Sequence, residues 1–327
     1  MKALVFNMLT IAATFAAMTA CTSESDPVDE VTNQPTPVLF GSSISEITSK
    51  AVAENATAFG AGEDIGVTMY TVETQAEPTG TALGSPNKSN ITFTSDASGK
   101  FTEKDGSTMF WERGACHYFY AYYPVTTASN ENYKYTAATG STSEQITVKV
   151  QADGTTTDLL MAQNTTGTEF NGIASETNLS FSHMMSKIKF VFKKDASYTK
   201  AGVLTEINFK VNNESITFNL VNPGSGTASS TTGVTLAKTG LTYTIEENAT
   251  NSDILDWAPI VVPGSSVTEL NLTIDGQTLS ATAINNLTLK AGFMTKIIIT
   301  LKSSGTEFTS DINAWQDDSN SGNTEVQ

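Results

Sequence analysis

Arginine is almost missing: Arg113 is the only one in 327 residues. Tight clamps on phosphate or carboxylate rest on the two-pronged guanidinium, so that mode of recognition has almost nothing to work with. Histidine is nearly as scarce. His117 and His183 both lie in or beside strand patterns, next to aromatics or methionines, and neither belongs to a His-x-x-x-His or Cys/His metal spacing. There is no Gly-x-Ser-x-Gly elbow, phosphate loop or dinucleotide fingerprint. Gly60-Ala61-Gly62 is followed by Glu63-Asp64, whose charge repels phosphate, so the glycines read as a turn. The acidic pairs Glu63-Asp64, Glu246-Glu247 and Asp317-Asp318 are scattered among 34 acidic residues, with nothing in the pattern to join them as an acid/base couple or a calcium loop. The sequence thus offers no catalytic residue, no metal ligand set and no cofactor site, and an enzyme is not expected.

Positive charge is also in short supply, 18 basic against 34 acidic residues for a net charge of −16. That balance argues against nucleic acid and anionic membrane surfaces as partners. The two cysteines are Cys21 and Cys116. Cys116 stands in an aromatic run and reads as a small core hydrophobe. With Cys21 otherwise engaged, no internal disulfide is available, and the fold must rest on its core.

Cys21 has another use. Lys2 is the only charge among the first 23 residues, and it precedes a short apolar run that ends Met18-Thr19-Ala20-Cys21. A charged start, a short apolar stretch and small residues make an export signal rather than a spanning helix. A cysteine at the cut fits a lipoprotein signal peptidase. Cleavage before Cys21, with lipid on its thiol, is therefore expected, leaving 17 basic and 34 acidic residues and a net charge of −17. Residues 21–36 are Ser-, Thr-, Asp-, Glu- and Pro-rich and read as a flexible tether. Within it Glu24 and Asp26 fit both a surface-export signal and an ordinary solvated linker.

Beyond the tether, period-two alternation dominates over helix periodicity. His117–Tyr123 reads HYFYAYY and ends at Pro124. Lys187–Lys193 places Ile188, Phe190 and Phe192 on one face, and Ile207/Phe209/Val211 and Ile216/Phe218/Leu220 alternate likewise. Leu270, Leu272 and Ile274 lead into Asp275-Gly276, a two-residue hairpin signal. Lys296–Leu301 reads KIIITL, apolar on both faces, as a central strand is. Many short strands separated by turn residues predict β-sandwiches. The length suggests two domains, 37–175 and 176–315, with the boundary in a polar, loop-like stretch over 167–178 and a polar tail at 316–327.

Several segments together resemble the fimbrillin family of Bacteroidales, the pilus subunits of major, minor and fimbrillin-like type. They are Ile47–Ala51 with Phe59–Val67, Met109–Trp111 with Tyr118–Pro124, Asp158–Gln163, Phe181–Ile188, Val261–Pro263 and Ile312–Trp315, in the family's order. The resemblance implies an all-β fold of two transthyretin-like β-sandwich domains in tandem, behind the lipoprotein signal and tether. It further implies delivery to the outer membrane surface, proteolytic removal of an N-terminal strand, and filling of the vacated groove by a neighbour's strand. Carried onto this chain, the removable strand runs through Pro37–Ser43 with Val38 and Phe40 inward, and the cut falls at Lys50-Ala51. The family has Arg-Ala there; this chain has lysine, so either a lysine-accepting protease acts or this place is not cut. The donor candidate is Glu307–Trp315 with Phe308, Ile312 and Trp315, a stretch that reads equally well as an ordinary last strand. The function implied is a structural subunit of a surface fimbria contributing to adhesion, with other fimbrial subunits, the outer membrane and a host or bacterial surface receptor as partners. Shaft, tip and anchor roles stay open. The second reading is a monomeric surface lipoprotein acting as a glycan- or protein-binding module, for which Trp111, Trp257 and Trp315 supply aromatic surface.

Overall fold

The computed structural model describes residues 35–44, 59–73, 83–139, 142–163, 167–170, 176–224, 226–229, 232–247, 257–282 and 287–314. Cys21, the signal, the tether up to residue 34, Lys50, Ala51, Trp315 and the tail lie outside the described residues. From Thr36 onward the described strands belong to one compact unit.

The first ten strands are β1 (Leu39–Ile44), β2 (Asp64–Val72), β3 (Lys88–Ser95), β4 (Lys100–Glu103), β5 (Cys116–Tyr123), β6 (Tyr133–Thr136), β7 (Gln145–Lys149), β8 (Leu160–Gln163), β9 (Thr168–Glu169) and β10 (Glu176–His183). The rest are β11 (Ser186–Lys194), β12 (Val203–Val211), β13 (Ser215–Asn219), β14 (Thr227–Ser229), β15 (Val234–Lys238), β16 (Tyr243–Thr244), β17 (Ile260–Val261), β18 (Val267–Ile274), β19 (Gln277–Thr282), β20 (Phe293–Lys302) and β21 (Gly305–Ala314).

The expected strands are present. The HYFYAYY run is β5, buried on both faces, because the strand has an apolar layer on either side. KIKFVFK lies in β11. KIIITL lies in β20, which is central between β11 and β21. Asp275 and Gly276 both take positive φ, 49° and 75°, at the β18–β19 hairpin. An Asn/Asp-Gly pair supplies such a turn because Asp tolerates the left-handed region and Gly meets no Cβ penalty there.

The structure departs from the sequence pattern in two places. The stretch 167–178 is not a loop throughout: β9 and the start of β10 fall within it. In β10, Thr177, Leu179, Phe181 and His183 point inward and alternate with exposed Glu176, Asn178, Ser180 and Ser182. The strand escapes a hydrophobic count because two of its four buried positions are polar. The sandwich expected of the first half is also closed at its edges. Its pairings run β2-β3-β4-β1-β10-β8-β5, and β5 returns to β2, with β9 attached to β5. Closure removes free edges, the commonest site of unwanted strand pairing.

Three more sheets follow, β17-β11-β20-β21, β15-β12-β18-β19 with β16 on β12, and β14-β13-β7-β6. The last joins β7 to β13 across the expected 175/176 boundary. Two cores result. One fills the ring, with Phe40, Phe59, Phe93, Phe101, Phe119, Phe181 and their aliphatic neighbours. The other begins on the outer face of β5, at Tyr118, Tyr120 and Tyr122, and continues to Phe190, Phe209 and Ile297 in the later sheets. Cys116 is buried in this second core, as a small hydrophobe is.

Candidate functional site

The expected removable strand is one of the ring's seven staves. β1 lies between β4, antiparallel, and β10, parallel. Its register to β10 runs unbroken from Leu39↔Glu176 to Ile44↔Phe181. Ahead of β1 the chain is held again: the Val38 N–H donates to Met109 O at 2.9 Å, and the Trp111 N–H donates to Thr36 O at 2.9 Å. The occupant of this slot therefore has backbone partners on three segments, β4, β10 and the strap at Met109–Trp111.

Alternation decides which side chains enter. Val38, Phe40 and Ile44 are buried in the ring core, and Leu39 is 53 % exposed on the outside. Val38 and Phe40 thus point inward as expected. The Phe40 ring meets Phe93 at 5.0 Å and Phe119 at 5.1 Å, both edge-on. Phe59 packs edge-on against Phe101, Tyr123 and Phe181 in the same core. Edge-to-face packing suits ring quadrupoles and adds about 0.5–1.5 kcal/mol per pair to area burial. Burying a phenylalanine contributes roughly 2–3 kcal/mol, so Phe40 is the main anchor of the slot.

Beneath the strap, Trp111 stacks on Phe170 at 5.5 Å and meets His117 edge-on at 4.9 Å. His117 Nε2 accepts from the Glu112 N–H at 2.9 Å, and Nδ1 lies 3.3 Å from Thr168 O. One nitrogen must accept and the other must donate, which fits the neutral ring with its proton on Nδ1. Burial pushes the His117 pKa below its usual range, partly offset by the Thr168 carbonyl and by Glu112. His183 Nδ1 sits 2.7 Å from Asp158 Oδ2, both side chains buried, at the end of β10. Both histidines are thus engaged in packing and pairing.

A second buried carboxylate was not legible in the sequence. Glu144 is fully buried and accepts from Thr68 Oγ1 at 2.9 Å and from the hydroxyls of Tyr70 and Tyr135 at 3.0 Å each. These bonds tie the segment before β7 to β2. Burial first, then the Glu144 charge, raise the pKa of Tyr70 and Tyr135 well above the usual phenol range. Three neutral donors satisfy the carboxylate, a structural use of a buried acid. Among the described residues no group of three or more His, Cys, Asp or Glu is placed to hold a metal ion, and no helix is long and apolar enough to cross a membrane.

Trp111 and Trp257 are both buried, at 6 % and 8 % exposure. That removes two of the three aromatics suggested for a binding face, because each ring packs inside a core. A shallow open cleft of about 520 Å³ lies elsewhere, lined by Gln145, Thr217, Asn219, Asn222 and Thr227 with Gly224 and Gly226. Its lining carries no ionisable group. In the donor candidate, Phe308 and Ile312 belong to β21, which pairs along ten positions with β20, Phe308 opposite Ile299 and Ile312 opposite Thr295.

An all-β fold whose first described strand closes a ring and whose last described strand is paired is the class defined by this geometry. Residues 49–315 match the family model described as Fimbrillin-like, and the chain belongs to that family. Among solved structures, it is similar to a proposed cell adhesion protein from Bacteroides uniformis, with TM-score 0.58 and 21% identity over 89% of this chain and 100% of that one. A proposed cell adhesion protein from Bacteroides ovatus gives TM-score 0.59 and 20% identity, over 87% and 99%. A fimbrial protein from Bacteroides vulgatus gives TM-score 0.53 and 16% identity, over 85% and 99%. No curated protein matches the sequence.

Proposed function

We propose that this chain is a cell-surface fimbrial subunit that assembles by exchanging β1 for the last strand of another copy. The observation that carries the reading is the pairing of β1 with a matching pattern elsewhere in the chain. β1 alone stands between β4 and β10. Its period-two series Phe40, Ser42, Ile44, buried at Phe40 and Ile44, reappears at the same spacing in β21 as Phe308, Ser310, Ile312. Loss of β1 would leave two unpaired edges over an aromatic cavity. A strand with the same period-two pattern can refill both, with backbone bonds giving affinity and alternate side chains giving specificity. Family membership supports a fimbrial or adhesion role.

On this reading export proceeds through lipidation of Cys21 and places the subunit on the outer membrane, facing other subunits and surface receptors. Cleavage at Lys50-Ala51 releases the segment that carries β1. The two domains expected at 37–175 and 176–315 are then joined by the β7–β13 pairing across their boundary.

Trypsin digestion of the non-lipidated precursor tests this, read by N-terminal sequencing and by gel electrophoresis without boiling. A new N-terminus at Ala51 with a ladder of stable oligomers is the expected result. A chain that is cut there yet stays monomeric would refute exchange between copies.

The uncharged cleft favours a second reading, a surface lipoprotein that binds a neutral glycan. Gln145, Asn222 and Thr227 present the amides and hydroxyl that hydrogen-bond sugar hydroxyls, while Asn219 is held by Ser143 Oγ and the Val221 and Asn222 N–H groups.

A further inference from the structure

β1 carries a glycine where its pattern has no turn to make. Gly41 does not take a positive φ, so the backbone places no demand for glycine. The reason lies across the strand. Glu176 extends from β10 over Gly41, and its carboxylate reaches Lys100 on β4, with Nζ–Oε2 at 3.4 Å. These are the two strands that flank β1, and Lys100 is the β4 residue directly opposite Gly41. The ion pair therefore crosses the outer face of β1 at its one residue without a side chain. A Cβ built on Gly41 would lie 2.2 Å from Glu176 Oε1 and 3.2 Å from its Cδ. The obstructing atom is the far end of a flexible side chain. Glu176 would swing aside, and in doing so it would leave Lys100.

From this we infer that the Lys100–Glu176 pair is a clasp that selects the strand in the slot, closing only over an occupant with glycine at the position of Gly41. The preferred occupant is an extended segment of the pattern aromatic, glycine, small, any residue, aliphatic, as in Phe40-Gly41-Ser42-Ser43-Ile44. The inference rests on the exchange reading in one respect. With Phe308 and Ile312 in the places of Phe40 and Ile44, Thr309 falls under the clasp. The chain's own β1 closes the clasp and an incoming last strand holds it open. Both partners are well exposed, 63 % and 43 %, and exposed pairs contribute little stability. The clasp accordingly discriminates between occupants by a few-fold.

Hydrogen exchange of the amides of Phe40–Ile44 in the full-length, non-lipidated chain tests the clasp directly, in G41A, E176A, K100A and the G41A/E176A double variant. Alanine favours strands over glycine, so without a clasp G41A would leave exchange unchanged or slow it. The expected result is about three- to five-fold faster exchange in G41A and K100A, with no further acceleration when G41A is added to E176A. An equal G41A effect in both backgrounds, or none in either, would overturn the clasp. K100A keeps the inference testable should G41A fold poorly. A second arm adds synthetic peptides 305–315, native and T309G, to chain cut at Lys50. Faster capture of T309G supports selection, and equal capture refutes it. Capture of neither counts against strand exchange, while the coupling measured in the uncut chain still decides the clasp.

Discussion

Phe40 and His117 show how single side chains set this molecule's behaviour. Phe40 holds β1 through two edge-on rings, those of Phe93 and Phe119. His117 is held neutral between an N–H and a carbonyl, and burial lowers its pKa. The sign of its contribution follows. In the unfolded chain the imidazole takes up a proton near pH 6.5; in the folded chain it does so only at lower pH. The stabilisation from keeping His117 neutral is complete above the unfolded value and is lost progressively as the pH falls towards the folded one. The His117 ring proton should titrate in NMR with a midpoint below the ordinary histidine value. H117Q should show a shallower loss of stability than the native chain between about pH 6.5 and pH 5. A midpoint at or above the ordinary value would contradict the neutral, buried ring. Much at this scale was open to reading beforehand: Cys116 as a core residue, Val38 and Phe40 inward, the histidines structural. Glu144 was not, because one acid before Gln145 looks like any solvated carboxylate until β2 and Tyr135 bring it three hydroxyls. Lys100 and Glu176 were equally silent, since their meeting depends on β1 lying between their strands.

Elements were legible where period-two patterns are strong and dry. β5, β11, β20 and the β18–β19 hairpin announce themselves through uninterrupted apolar or aromatic positions. β10 does not, since Thr177 and His183 occupy two of its inward places, and the ring follows only once β10 is recognised. The hairpin turn gives a clean test of local chemistry. Asp275 takes positive φ, and its carboxylate accepts from the Tyr198 hydroxyl at 2.8 Å and from the Gly202 and Val203 N–H groups at 2.9 Å each. Those bonds outweigh partial burial and hold its carboxyl below the usual range. D275A loses the acceptor and the tolerance for left-handed backbone together, and should cost about 1–3 kcal/mol in urea unfolding. D275N keeps that tolerance and one acceptor and should cost less. Equal stability of D275A and the native chain would show that the turn does not depend on this side chain.

At the scale of the whole molecule, the all-β class and the family were readable from ordered short motifs, whereas ring closure and the β7–β13 pairing were not. Both are contacts between segments far apart in sequence, and local alternation carries no information about which strand lies beside which. The exchange reading makes its own demand here. Phe308 belongs to the series that repeats Phe40, so F308D should leave the cut at Lys50 intact and abolish the oligomer ladder of the processed chain. Placing a charge in an aromatic cavity costs several kcal/mol. A ladder that persists in F308D would mean that the last strand is not the donor.

The geometry of β1 also bears on force. Its ladder to β10 runs the length of the strand and its pairing with β4 covers Phe40 and Gly41, with hydrogen bonds directed across the strand. Tension along the strand axis therefore strains all of these bonds at once in shear, while a pull from one end at right angles would peel them in turn. The strap at Met109–Trp111 grips the segment just ahead of β1, so peeling from that end must first break two further backbone bonds. A strand seated in this slot is anchored against axial tension, the direction in which a filament in flowing liquid is stretched.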